Sequence, residues 1–282
     1  MGKIILVAET GADISDELAA EYGIYRVPMH VVFGETEKDD CSFPIEEILD
    51  YYKQTGKVPG TAASNQADFD KVFDEIHEEH PDAHILYLAY SARTTASYNF
   101  GVLAAEGRDY VTCVDTEQCT SGQCAVVIKT AQFIRENPEA SVEEILRKIQ
   151  SFIRRTHMFF LPQNLDFLRA GGRCTNATAI LANILRIHPR IVVKDGVLIA
   201  DKKYRGTLEK LIPKVVRDFL AEHPLDRAEV FLSTTIGFTK ELKDKLLETI
   251  KSFGFKKVNW LPCGGVITCH GGPSAFSVAG TE

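Results

Sequence analysis

Residues 84–114, HILYLAYSARTTASYNFGVLAAEGRDYVTCV, carry the reading that decides the fold. His84 to Tyr90 is an apolar and aromatic run of strand length. Thr95 to Ala105 reads as a helix, and Tyr110 to Val114 as a second strand. A strand, a helix and a strand within about thirty residues form a parallel crossover unit. The alternation extends towards the N-terminus. Residues 3–8 read as strand, Ser15 to Tyr22 as helix and Ile24 to Phe33 as a second extended run. Pro44 to Gln54 reads as a helix with proline in its first turn. Gln66 to Glu79 places Phe69, Val72, Phe73 and Ile76 on one helical face. Ser121 to Glu136 and Val142 to Arg155 complete the helices of this part. The pattern predicts a mostly parallel sheet covered on both faces.

Beyond residue 156 the pattern changes. His157 to Leu161 reads as a short strand, and Leu165 to Ala170 as a short helix stopped by Gly171-Gly172. Ala177 to Ile187 reads as an apolar helix of small residues. Arg190 to Lys194 and Leu198 to Lys203 flank Asp195-Gly196, a strong hairpin signal. Two helix–strand units follow: Leu208 to Ala221 with Glu229 to Thr235, then Lys240 to Phe253 with Lys257 to Leu261. A hairpin among helices implies a mixed sheet. The expected organisation is two α/β domains, residues 1–156 and 157–282.

The 282 residues carry a net charge of −7, with 45% hydrophobic and 25% charged residues. These values match an ordinary globular chain and exclude disorder, collagen and coiled coil. The acidity argues against a nucleic-acid partner. No apolar run approaches the roughly 18 residues of a membrane span. The opening stretch Ile4 to Ala8 is too short for a signal peptide, so the expected location is cytoplasmic. The seven cysteines contain no Cys-x-x-Cys pair, and the eight histidines no His-Glu-x-x-His. The expectation is therefore reduced thiols packed as small apolar groups, with no metal site. The Walker A loop, Gly-x-Gly-x-x-Gly and Gly-x-Ser-x-Gly are all missing.

In open α/β sheets, ligands bind beyond the carboxyl ends of the strands. Hydroxyl-rich loops stand at those places here: Glu9-Thr10-Gly11, Pro59 to Ser64, Ser91 to Tyr98 and Asp115 to Gly122. Each loop alone reads as a helix cap. Together they would present hydroxyls and backbone N–H groups to one crevice, which suits an oxyanion. The second half supplies positive charge at Arg173 and along Lys202-Lys203-Tyr204-Arg205. It also supplies the glycine-dense segment Gly264 to Ala275, where His270 is a candidate ligand contact. Asp39-Asp40 reads as a solvated loop. The residues thus describe a two-domain α/β protein with an anion-friendly crevice, and they specify no reaction.

The ordered set of segments resembles the DegV family of bacterial fatty-acid-binding proteins over nearly the whole chain. Leu165-x-x-Leu168-x-x-Gly171-Gly172-Arg173 resembles the family's L-x-x-L-x-x-G-G-R. Ser91 to Tyr98 is similar to S-S-x-L-S-G-T-Y, Pro59-x-Thr61 to P-x-T-S-Q-P, and Asp115-Thr116 through Ser121 to D-S-x-x-x-S. His270-x-Gly272-Pro273-Ser274-Ala275 resembles H-x-G-P-G-A. Departures fall at Glu9-Thr10 for Asp-Ser, at Ala62-Ala63 for Ser-Gln, at Ala92 for Ser, at Ala96 for Gly and at Ser274 for Gly.

The resemblance implies a DegV-like fold. Its N-terminal part would be a three-layer α/β/α unit with a mostly parallel sheet, and its C-terminal part a two-layer α/β unit with a mixed sheet. It also implies a long-chain fatty acid, or its acyl phosphate, bound between the domains. Thr61, Ser91, Thr95, Arg173, Arg205 and His270 would hold the headgroup, supported by Gly171, Gly172, Gly272 and Ser274. No catalytic residue, cofactor or metal is implied. The family role is lipid binding and transport in the bacterial cytoplasm, with the carboxylate presented to a separate fatty acid kinase and at most transient contact with a membrane. The alternatives are a small-molecule phosphotransferase, because the family's first domain is similar to that of the dihydroxyacetone kinases and His270 could serve as base or nucleophile, and a lipid-stabilised regulatory protein.

Overall fold

The structure is a computed structural model that describes residues 3–163, 165–174 and 187–282. Its first elements are β1 (Ile4–Glu9), α1 (Asp16–Tyr22), β2 (Tyr25–Val27), β3 (His30–Phe33), β4 (Thr36–Asp39) and α2 (Glu46–Thr55). Next come β5 (Gly60–Ala62), α3 (Gln66–Glu79), β6 (His84–Ala89), α4 (Ser97–Ala105), β7 (Val111–Asp115), α5 (Thr120–Glu136) and α6 (Val142–Arg155). The chain continues through β8 (Thr156–Leu161), α7 (Leu165–Gly171), β9 (Ile187–Lys194), β10 (Val197–Arg205) and α8 (Leu208–Glu222). It closes with β11 (Glu229–Thr234), α9 (Lys240–Ser252), β12 (Lys257–Pro262), α10 (Gly265–Gly271) and β13 (Phe276–Thr281). The helix expected from Ala177 falls on residues 177–186, outside the described residues, and Ile187 opens β9.

The first sheet is parallel throughout, in the order β2-β1-β6-β7. Helices cover both faces, so β1 and β6 are continuously apolar rather than alternating. Ile5 and Val7 pack with Phe69 and Phe73 of α3 and Ala104 of α4. Leu6 and Ala8 face the other way, into the cluster holding Leu18 of α1 and Ala125 to Ile128 of α5. The second sheet is mixed, in the order β10-β9-β8-β13-β11-β12, with β11 and β12 its parallel pair. Its outer face packs Phe159, Leu161, Leu232 and Val278 against Ile212, Val215 and Phe219 of α8 and Leu246 and Ile250 of α9.

The inner face of the second sheet rests on α5, which packs against β8, β11 and β13 as well as against β1 and β6. A helix hydrophobic all round is a buried helix, and Thr120 through Ile128 are all buried. The two sheets therefore share α5 as a common layer. The neighbouring α6 lies where the sequence placed it. Its Ser141 and Glu144 form a reciprocal capping box, and Ile145, Ile149 and Ile153 turn inwards.

A third, antiparallel sheet, β4-β3-β5, corrects the reading of Ile24 to Phe33 as one extended run. Pro28, which has no N–H to donate, lies between β2 and β3, and the chain changes sheets there. The segment beginning at Pro59, read as a loop before a helix, contributes β5, with Thr61 opposite Val31.

The Asp195-Gly196 hairpin forms as expected, with both residues at positive φ, 50° and 75°. Its tip is seated on the first half: the Ser91 hydroxyl donates to the Gly196 carbonyl at 2.7 Å. A Cβ on Gly196 would stand 2.8 Å from Ser91 Oγ and 2.9 Å from Arg93 Cγ. Gly196→Ala is expected to lower the unfolding free energy by about 1–3 kcal/mol. Urea denaturation checks this, and an unchanged midpoint would mean that the hairpin does not rest on the Ser91 loop.

Candidate functional site

A cavity of about 300 Å³ lies between the two large sheets and the small one. One side of its wall is accessible: Thr61, Ala62 and Ala63 of β5 and its exit and Thr94 and Thr95 before α4 are half-buried, and Arg173 after α7 is exposed. The inner wall is fully buried. It combines apolar groups such as Leu168, Leu198, Val266 and Phe276 with the hydroxyls of Thr120, Ser233, Thr235 and Ser277. This exposed side is the mouth of the cavity.

His270, near the C-terminal end of α10, organises the mouth. Its Nε2 lies 3.0 Å from Thr61 Oγ1, and its Nδ1 is buried without a hydrogen-bond partner among the described residues. Burial disfavours the charged ring, and Arg173 adds to the effect, so its pKa falls to about 4. The neutral ring carries one proton. Placed on Nδ1, it would be a buried donor with no acceptor, a rarer defect than an unfilled acceptor. The geometry therefore favours the proton on Nε2, donated to Thr61. The Thr61 hydroxyl hydrogen is then free for a ligand. Arg173 is oriented by its own turn, with Nη1 donating to the Gly171 carbonyl at 2.9 Å.

The opposite end of α10 is held by two buried carboxylates. Asp13 Oδ1 accepts from Gly264 N at 2.9 Å. Asp40 Oδ1 accepts from Gly265 N at 2.6 Å and from Val266 N at 3.3 Å. Asp39 is exposed, but Asp40 is 4% exposed, which corrects the reading of the pair as a solvated loop. Burial pushes both carboxyls up, Asp13 to about 7, against the hydrogen bonds that favour their charged forms. Glu9, expected at a loop edge, is buried too. It accepts from the Tyr87 hydroxyl, the Tyr90 N–H and Gln123 Nε2.

Residues 3–282 match the model of the DegV family, described as an uncharacterised protein family. The chain belongs to the DegV family. A Thermotoga maritima protein named a fatty acid-binding protein is 29% identical over 96% of this chain and 95% of its own. A solved DegV family structure from Thermus thermophilus, described by its fatty acid binding, superposes with a TM-score of 0.88 at 24% identity, over 99% of this chain and 100% of the other. A stearic acid-binding protein from Eubacterium ventriosum superposes at 0.84 with 22% identity, over 100% and 98%.

In this DegV chain the Gly-Gly-Arg turn has a visible steric reason. A Cβ on Gly171 would stand 2.3 Å from His270 Nδ1, so glycine is what lets the ring occupy its place. Gly172 and Gly272 have φ of 62° and 72°. The Gly272 carbonyl accepts from the Thr235 hydroxyl at 2.6 Å. Ser274 stands where the family motif has glycine and keeps a positive φ of 60°, with its hydroxyl donating to the Gly237 carbonyl at 2.7 Å.

Thr61, Thr95, Arg173 and His270 come together at the mouth. Ser91 and Arg205 do not line the cavity. Ser91 is buried with its hydroxyl hydrogen committed to Gly196. Arg205 is exposed at the far end of β10, seven residues beyond the lining residue Leu198. At about 3.3 Å per residue, that strand carries it more than 20 Å away.

Among the described residues the scattered histidines conceal one grouping. His157, His223 and Glu282 could each offer a ligand atom to one metal ion. The two rings stack 4.0 Å apart, and His157 Nε2 lies 3.0 Å from the Glu282 carboxylate. None of the three lines the cavity.

The sequence reading missed the inner hydroxyls of Ser233 and Ser277. The available signal was a serine beside the apolar stretches Val230 to Leu232 and Val278 to Ala279 of the strands Glu229–Thr234 and Phe276–Thr281.

The pKa of His270 gives a pH prediction. The ring is near 6.5 in the unfolded chain and about 4 in the folded one. Its contribution to stability is therefore complete above pH 6.5 and is lost as the pH falls through 4. Acidification from pH 7 to 4 should cost the parent on the order of 2–3 kcal/mol more than His270→Gln. Equal losses in urea titrations at the two pH values would show that the ring is not held neutral.

Proposed function

We propose that this chain binds a long-chain fatty acid, with its carboxylate at the mouth among Thr61, Thr95, Arg173 and His270 and its acyl chain inside. The observation that carries the reading is the division of one cavity into a mouth with an arginine and hydroxyl donors and an interior with a large apolar wall. The fatty-acid-binding relatives support it. About 0.8 kcal/mol per buried methylene gives roughly 12 kcal/mol gross for fifteen of them. Lost ligand freedom and headgroup desolvation reduce that figure. The tail thus supplies affinity, and the charge-assisted contacts at the mouth fix orientation. The ligand would lie between the units 1–156 and 157–282.

The accessible mouth suits a second step outside this chain. The protein would present the carboxylate to a separate fatty acid kinase and carry the resulting acyl phosphate, acting as a binding subunit rather than as the catalyst. A nucleotide loop is not among the motifs of its sequence.

Native mass spectrometry followed by organic extraction tests the binding. A stoichiometric adduct of fatty-acid mass is expected, in the purified protein or after addition of oleic acid. Arg173→Ala and His270→Ala should weaken oleate binding. Thr61→Val should weaken it by about 1–3 kcal/mol, because the carboxylate loses one donor. An empty protein that refuses added oleate would overturn the reading. Unchanged binding in all three variants would move the headgroup elsewhere. ATP turnover by a fatty acid kinase that does not require the loaded chain would remove the presenting role.

A further inference from the structure

The inner wall of the cavity carries a continuous row of hydroxyls, where an acyl tail alone needs none. Ser121 and Ser277 are 2.6 Å apart, Ser277 and Ser233 2.5 Å, and Ser233 and Thr120 3.4 Å. Thr120 donates to Asp13. All four hydroxyls are buried, and those of Thr120, Ser233 and Ser277 face the cavity. They come from α5, β11 and β13, so the row is assembled by the fold.

The hydrogen accounting of the row gives its chemistry. Above pH 7, where Asp13 is ionised, its carboxylate only accepts, so Asp13 fixes the direction. Thr120 donates to Asp13, and Ser233 gives its hydrogen to Thr120 across a long 3.4 Å or to the neighbouring Cys263 sulfur; either way Ser277 donates to Ser233 and Ser121 to Ser277. Every hydroxyl hydrogen is then engaged. Each hydroxyl oxygen accepts at two positions, so lone pairs are left over along the row. The wall is short of donors and rich in acceptors. A ligand group that donates is matched there, and one that only accepts is not.

We propose that the preferred ligand is a long-chain acid bearing a hydroxyl on its acyl chain, which donates to the Ser233–Ser277 row. The proposal rests on the acyl-binding reading and deepens it. In a purely apolar tunnel a ligand hydroxyl would lose its water and gain nothing, and it would be selected against. Beside this row it exchanges a bond to water for a bond to serine. A ketone at the same position finds no donor and stays unmatched.

Dissociation constants at pH 8 test the proposal, with palmitic and oleic acids measured against ω-hydroxypalmitic acid, ricinoleic acid and hydroxystearic acids of other positions, and with the matching keto acids. At least one hydroxy acid is expected to bind about fivefold or more tighter than the plain acid of its length. Its keto counterpart should bind more weakly than the plain acid. In the Ser233→Ala/Ser277→Ala double variant the order of hydroxy and plain acid should reverse. Plain acids that bind while no hydroxy acid binds tighter would overturn this inference and leave the acyl-binding reading standing. A keto acid as tight as its hydroxy partner would also overturn it. Failure of every acid to bind would overturn both.

Discussion

The arrangement depends on two buried carboxylates that hold one short helix. Asp13 follows β1 and Asp40 follows β4, so both belong to the first half of the chain, whereas the N–H groups they receive belong to Gly264, Gly265 and Val266. Removing carboxylates from water is costly, and bonds to the N-terminal amides of α10 offset part of that cost. The contact is too close for side chains. A Cβ on Gly264 would stand 2.8 Å from Asp40 Oδ2, and one on Gly265 would stand 2.8 Å from Phe43 Cζ. With its N-terminal end fixed, α10 brings His270 to Gly171 and Thr61. The mouth is thus built by a constraint at the other end of the helix.

The shared helix α5 has a second consequence. Because it fills the space between the two large sheets, the cavity is confined to the region beside its first turn. The wall there is made by the polar start of α5 and by the strands that cross it. Thr120 and Ser121 belong to that first turn, where side-chain hydroxyls are common because they serve unpaired amides. Here they are aimed at Asp13 and Ser277 instead. The same geometry that joins the sheets therefore makes one wall of the cavity polar.

What was legible in the sequence was what local chemistry determines. The crossover unit at residues 84–114, the capped helix at Val142–Arg155 and the Asp195-Gly196 hairpin each follow from residues close in the chain. The pairing of β3 with β5 was not legible, because His30 meets Ala62 across an intervening strand and helix and no local pattern announces it. Asp40 was misread because a carboxylate beside a carboxylate normally signals solvent, and the Gly265 and Val266 amides that it receives lie more than 220 residues away. Ser91 was assigned by its place in a motif and Arg205 by its charge in a basic run. The tertiary structure gave the first to a backbone carbonyl and carried the second along its strand. Thr61, Thr95, Arg173 and His270 could be singled out because each stands beside a turn rich in glycine or hydroxyls, and all four lie on the wall of one cavity.

The orientation of a bound amphiphile follows from where charge is already fixed. At the mouth stands Arg173, and the neutral ring of His270 leaves the Thr61 hydroxyl able to donate. At the inner end the hydroxyl row terminates on Asp13, itself beside Asp40. Above pH 7, where Asp13 is ionised, a carboxylate pushed inwards would approach that charge inside the protein, and it would meet a wall short of donors. A carboxylate at the mouth meets a guanidinium, a hydroxyl hydrogen and solvent. The electrostatics oppose entry headgroup first, independently of the tail's preference for the apolar wall. Of the two buried acids that position α10, Asp13 thus also biases which end of a ligand faces outwards.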